Sequence, residues 1–223
     1  MKITKLYYDF LLLVEKNATN NNLNVDKSRF VSLFNFTQIR YQSYLLDKRN
    51  EDAIRELSPF LKRNPLSLVE QRPNINVYSL PKDYFNFSNL DVRASKGKCK
   101  KQKLLTWELK SENVEEILGD ANNVPDFDAR ETFYHLSEKG IDIYKGDFEI
   151  DSAEMLYYRK ITPVEMKGYI RVEDGTETLE DVDTELLDES IPKVLTAMAK
   201  LFFANQGDSN GFQIQNAQLF STI

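Results

Sequence analysis

The chain has 223 residues, 41% hydrophobic and 29% charged, which is enough to bury one sizeable core or two small ones. Its 29 basic against 35 acidic residues give a net charge of −6, which argues against a dedicated nucleic-acid binder, since phosphate neutralisation needs a net basic face. Cys99 and His135 are each the only residue of their type, so an intrachain disulfide and a cysteine-rich zinc site are excluded, and little material is left for metal or triad chemistry.

Leu6, Phe10, Leu13 and Val14 recur at spacings of three and four, which predicts an amphipathic helix from about residue 3 to 16. The apolar run at 11–14 is too short to span a bilayer and is bracketed by Asp9 and Glu15, so neither a membrane segment nor a signal peptide is expected. Asp26 is a good N-cap for a second helix with Phe30, Leu33, Phe34, Tyr41, Tyr44 and Leu45 on one face. A third helix is expected over 50–63 on the stripe Ala53, Ile54, Leu57, Phe60 and Leu61, bent at Pro59 and ended by Asn64-Pro65.

The period then changes from helical to alternating. Ile75, Val77 and Leu80 predict a strand, with the rings of Tyr84, Phe85 and Phe87 packed just after it over a sheet edge. Leu90, Val92 and Ala94 alternate with charged residues and predict another strand. Between it and a strand around Trp107 lies a basic loop, 93–103, carrying Arg93, Lys96, Lys98, Lys100, Lys101 and Lys103. A short helix is expected over 111–119 and a loop over 122–128. From about Phe133 the chain reads as a small antiparallel unit, with runs around Ile141–Ile143 and Phe148–Tyr157 separated by turns at Gly146 and at Asp151-Ser152.

Residues 173–189 are strongly acidic and contain no lysine or arginine; Glu177, Glu180, Asp181 and Asp183 are the candidate contacts there. Ser190 is placed to cap a last helix, with Pro192 in its first turn and Val194, Leu195, Met198, Leu201 and Phe202 on its apolar face. An extended arm is expected from 208 onward. The chain therefore reads as α+β in three parts: a helical part over 1–66, a mainly β part over 67–172, and an acidic span, helix and C-terminal arm over 173–223.

No stretch supplies a catalytic motif. Asp126, Asp128 and Glu131 are the only carboxylate group with cation-like spacing, next to a proline that suits a solvated turn. His135 has no serine or cysteine neighbour to serve as its nucleophile. Opposite charge on the basic loop and the acidic span suggests that copies meet head to tail, the loop of one facing the span of the next. The same loop, with Trp107 nearby for stacking, also suits a nucleic-acid-binding accessory role.

The helical N-terminal third, the turn Leu80-Pro81-Lys82-Asp83-Tyr84, the strand end Tyr157-Tyr158-Arg159-Lys160-Ile161-Thr162-Pro163 and the apolar helix from Ile191 occur in an order that resembles the tailed-phage head-to-tail adaptor proteins. These include the tail tubular A-type and neck ring proteins of short-tailed and crAss-like phages. The resemblance implies a non-enzymatic structural protein of the virion, made in the host cytoplasm, with an N-terminal helical bundle, a small antiparallel β part, a C-terminal helix and extended arms. It implies a cyclic homo-oligomer, commonly twelvefold, between portal and tail, which passes DNA through its channel without specific binding and takes no cofactor, metal or membrane. The segments 93–103 and 207–223 would be its contacts with neighbouring portal, neck or tail proteins.

Overall fold

The computed structural model describes residues 1–17, 25–110, 119, 124–137, 140–171 and 174–206. The helix expected over 111–119, all but Gly119, and the arm from 208 lie outside the described residues. The fold is α+β, and the chain divides into two compact units, Met1–Pro59 with Ile161–Ile223, and Phe60–Lys160. The three consecutive parts read from the sequence thus become one unit inserted into another, with breaks at 59/60 and 160/161 in place of 66/67 and 172/173.

The first unit is built on helices α1 (Ile3–Asn17), α2 (Lys27–Lys48), α3 (Glu51–Leu57) and α4 (Ile191–Gln206). Asp26 caps α2 as expected, accepting the Arg29 amide at 2.6 Å, and Asn50 caps α3 through the Ala53 amide at 2.8 Å. Ile3, Leu6, Phe10 and Val14 of α1, Phe30 and Phe34 of α2, and Met198, Phe202 and Phe203 of α4 are all buried. Phe10 meets Phe202 edge-on and Phe30 meets Phe34, so aromatic rings dominate this core.

The expected face of α2 is rotated. Tyr44 is exposed, whereas the polar Thr37, Gln38 and Gln42 are buried: Thr37 donates to the Leu33 carbonyl of its own helix, and the two glutamines serve the backbone entering the segment 161–190. Gln38 donates to the Thr162 carbonyl, Gln42 accepts from the Ile161 amide, and Asn35 both donates to the Val164 carbonyl and accepts its amide, at 3.0 and 2.8 Å.

The second unit holds eight strands: β1 (Leu61–Pro65), β2 (Ser67–Gln71), β3 (Ile75–Ser79), β4 (Tyr84–Lys96), β5 (Cys99–Glu108), β6 (Glu131–Ser137), β7 (Gly140–Tyr144) and β8 (Glu149–Arg159). They form one sheet in the order β1-β8-β4-β5-β6-β7-β3-β2. All neighbours are antiparallel except β5 and β6, so the sheet is mixed and larger than the small antiparallel part that was expected. Its two outermost strands, β1 and β2, are separated in the chain by Leu66 alone. The sheet must therefore curl until its edges meet at that residue, and the Leu66 amide donates to the Ala153 carbonyl of β8 at the corner.

The interior of this barrel takes Tyr78, Leu90, Val92, Leu104, Tyr134, Ile141, Ile143, Met155 and Tyr157 from six successive strands. Three expectations need correction here. Leu61–Pro65 is a strand and not the end of a helix: α3 stops at Leu57, a short 3₁₀ turn through Pro59 reaches Phe60, and the chain then pairs with β8. Tyr84 to Phe87 begin β4 rather than lying over an edge. Asp151-Ser152 is no turn, since β8 continues through it against Arg93 and Ala94 of β4, with Asp151 as one extra residue where the register shifts from Arg93↔Ser152 to Ala94↔Ile150.

Candidate interaction surfaces

The basic loop is a β-hairpin. Lys96 pairs with Cys99 across a two-residue turn in which Gly97 has φ 56°, the left-handed geometry that fits the twist of the flanking strands. One extra residue in β5 follows, as the register moves from Lys96↔Cys99 to Ala94↔Gln102, and there Lys101 takes φ 53°. Its amide donates to the Ser95 hydroxyl at 3.1 Å, and that hydroxyl donates in turn to the Asp151 carboxylate. A lysine in this conformation carries steric strain that glycine does not, so Lys101→Gly is expected to raise stability by about 1 kcal/mol in urea denaturation. A loss of stability would show that the lysine side chain contributes more than its backbone costs.

The six basic positions separate into two groups. Lys96 lies 2.8 Å from Asp147 and 3.2 Å from Asp128, and the hydrogen bond from Lys96 holds the Asp147 carboxyl below the usual carboxylate range. Lys103 lies 2.6 Å from Asp91, which Arg63 also approaches at 2.6 Å; the bond from Lys103 is the main cause of the lowered Asp91 carboxyl. Arg93, Lys98, Lys100 and Lys101 are exposed and have no ion pair among the described residues. The outer face of β5 continues from them into Leu105 and Trp107, both more than half exposed.

The acidic span folds back on the segment that precedes it. Isolated bridges join Glu165 to Val182 and Ile170 to Glu177, making a two-legged loop within 162–190. Asp183 accepts the Ile3 amide at 2.8 Å and so satisfies the N-terminus of α1, where a carboxylate also suits the helix dipole. Asp181 accepts the Lys167 amide at 2.8 Å, Glu189 meets Arg55 at 3.0 Å, and Asp188 faces the terminal amine of Met1 at 3.8 Å. Of the four candidate acidic contacts, Glu177 and Glu180 are the two whose carboxylates have no such partner among the described residues. Between them Leu179 is 79% exposed.

A third feature was not legible in the sequence. Glu56 of α3 is almost wholly buried, and its carboxylate accepts from the Tyr41 hydroxyl and the Ser190 hydroxyl at 2.5 Å each and from the Lys193 ammonium at 2.7 Å. Ser190 thus serves Glu56 and does not cap α4 with its side chain. Burial pushes the Glu56 carboxyl up, but the three donors outweigh it and hold the group below the ordinary value. Tyr41 moves the other way: burial first, then the Glu56 carboxylate, push its hydroxyl well above the phenol range. Beside this cluster α2, α3 and α4 leave a groove of about 450 Å³, with Leu45, Ala53 and Ala197 among its apolar lining and Arg40 and Lys48 at its rim.

Asp126 uses one carboxylate oxygen on the amides of Asp128 and Ala129, an Asx-type turn, while Asp128 is engaged with Lys96. His135 places Nδ1 2.9 Å from the Leu109 carbonyl, which fixes that nitrogen as the donor. Among the described residues no helix is long and apolar enough to cross a membrane, and no three metal-ligating side chains converge. No protein-family model matches the chain, and a search of curated proteins returns no significant relative.

Proposed function

We propose that the protein is a non-catalytic structural subunit of a phage virion, a ring in the neck between portal and tail whose copies join head to tail around a DNA channel. What supports this reading, beside the resemblance in the order of its elements, is a pair of exposed surfaces of opposite sign. The β4–β5 hairpin offers four unpaired cations in one unit, and the loop around Leu179 offers unpaired carboxylates in the other. Two different, complementary patches favour a heterologous contact, and such a contact closes into a ring when the rotation per subunit allows it. Complementary charge would also set register and speed assembly more than it would add affinity.

The test is the mass of the full chain by light scattering, alone and with portal or neck proteins. A discrete ring in either case is the expected result, and Lys98→Glu, Lys100→Glu and Lys101→Glu together should lower the assembled mass at physiological salt. A second reading, binding of single-stranded nucleic acid, is favoured by Leu105 and Trp107 continuing the cationic stripe on β5. It predicts a strict monomer whose affinity for an oligonucleotide falls steeply with salt and is weakened by Trp107→Ala.

A further inference from the structure

The groove between α2, α3 and α4 and the exposed Leu179 lie in the same unit, yet Leu179 is not in that groove: four-fifths of its surface faces solvent. An isolated exposed leucine is unremarkable. This one is held in place from both sides. Thr178, its neighbour, is buried and donates both its amide and its hydroxyl to the Tyr169 carbonyl, at 2.8 and 2.9 Å. Two residues on, Asp181 holds the Lys167 amide. The leucine is therefore presented on a fixed loop, so that burying it would cost little ordering entropy.

The groove has the opposite character at each point. Its lining combines apolar groups, Leu45, Ala53 and Ala197 among them, with the exposed cations Arg40 and Lys48. Lys48 lies over the ring of Tyr44, itself part of the lining, at 5.3 Å, which keeps that charge beside the groove, while Arg40, also in the lining, lies 5.1 Å over the Phe36 ring. Lys193, also in the lining, is already bound to Glu56, and the one rim carboxylate, Asp52, is 3.7 Å from Arg55. An apolar side chain flanked by carboxylates is the complement of such a hole, and Leu179 between Glu177 and Glu180 has that form.

We infer that the occupant of this groove is the acidic loop of a second copy of the chain, with Leu179 inserted among Leu45, Ala53 and Ala197 and with Glu177 and Glu180 set against Arg40 and Lys48. Knob and hole sit on one unit but do not meet within it, so a second copy must supply the partner; on the head-to-tail reading the contact is heterologous and passes from copy to copy. The inference rests on the head-to-tail reading above and refines it: the acidic loop meets the groove of the next copy, which leaves the hairpin cations for a different neighbour.

Both sides are exposed, so variants there leave the core intact, which far-ultraviolet circular dichroism would verify. Leu179→Asp removes the knob, and Arg40→Glu with Lys48→Glu reverses the rim. Each variant of the full chain alone should fail to form the assembly given by the unaltered chain, requiring about tenfold or more higher concentration. Mixed together they should yield a discrete dimer by native mass spectrometry, because one copy retains an intact loop and the other an intact groove. If the unaltered chain assembles and Leu179→Asp or the rim variant assembles as well as it does, the inference is overturned while the ring reading stands. If the unaltered chain stays monomeric with every partner, both fall together.

Discussion

Glu56→Ala is expected to destabilise the helical unit by about 3–5 kcal/mol, the cost of breaking a buried ionic cluster by removing one partner. Three donors, the hydroxyls of Tyr41 and Ser190 and the ammonium of Lys193, lose a shared acceptor at once. Lys193 is 41% exposed and can turn to water, so the loss falls mainly on the two hydroxyls and on the cavity left in α3. The same cluster gives the protein an acid limb. The folded carboxyl sits below its ordinary value of 4.5, so the unfolded chain binds the proton more readily. Its contribution is complete above that value and is lost as the pH falls from there toward the depressed folded value. Urea denaturation at neutral pH and at two acidic points would show a steep slope in the unaltered chain and a shallower one in Glu56→Gln. A change of under about 1 kcal/mol in the alanine variant would mean the cluster is not a structural anchor.

The barrel has a comparable point of intolerance at Gly140, where β7 begins. Its φ is 153°, and a Cβ built there would stand 2.1 Å from the Tyr78 carbonyl oxygen, a backbone atom of the neighbouring strand that cannot swing aside. Gly140→Ala must therefore open the start of the β3–β7 ladder, Tyr78↔Ile141, both buried residues of the barrel core. The expected cost is about 3 kcal/mol or more, combining backbone strain with forced displacement of packed strands. Gly97→Ala is the control. It too has a left-handed φ, 56°, but open space around it, and should cost only about 1–2 kcal/mol. Equal losses in the two variants by denaturant melting would refute the steric account.

The parts of the fold that could be read from the sequence are those in which burial and period agree. The stripe of α1, the alternation of Leu90, Val92 and Ala94, and the apolar face of α4 all follow from apolar side chains packing into a core, and the cap at Asp26 from a carboxylate meeting an amide only three residues on. Reading failed where a polar group had a distant backbone partner. Gln38 and Gln42 look like the wet side of α2 until residues 161–164 are laid against them, some 120 positions later. Leu61 continues a helical stripe in sequence, yet the hydrogen bonds offered by β8 win over local period. At the hairpin the sequence located the charges but not their neutralisation: Lys96 and Lys103 meet carboxylates supplied by residues 147, 128 and 91. The acidic span was visible as charge, while its duties at the start of α1 and on the Lys167 amide depend on how the loop folds back.

The pairing of β1 with β8 at one edge of the sheet also settles how the chain enters and leaves it. Leu61 lies beside Tyr158 on adjacent antiparallel strands, about 5 Å away, so the chain enters and leaves the Phe60–Lys160 unit side by side. A module whose two ends are neighbours can be gained or lost between α3 and the 161–190 segment with only a short bridge in its place. The barrel is thus a cassette in the chain, one whose two connections run next to each other.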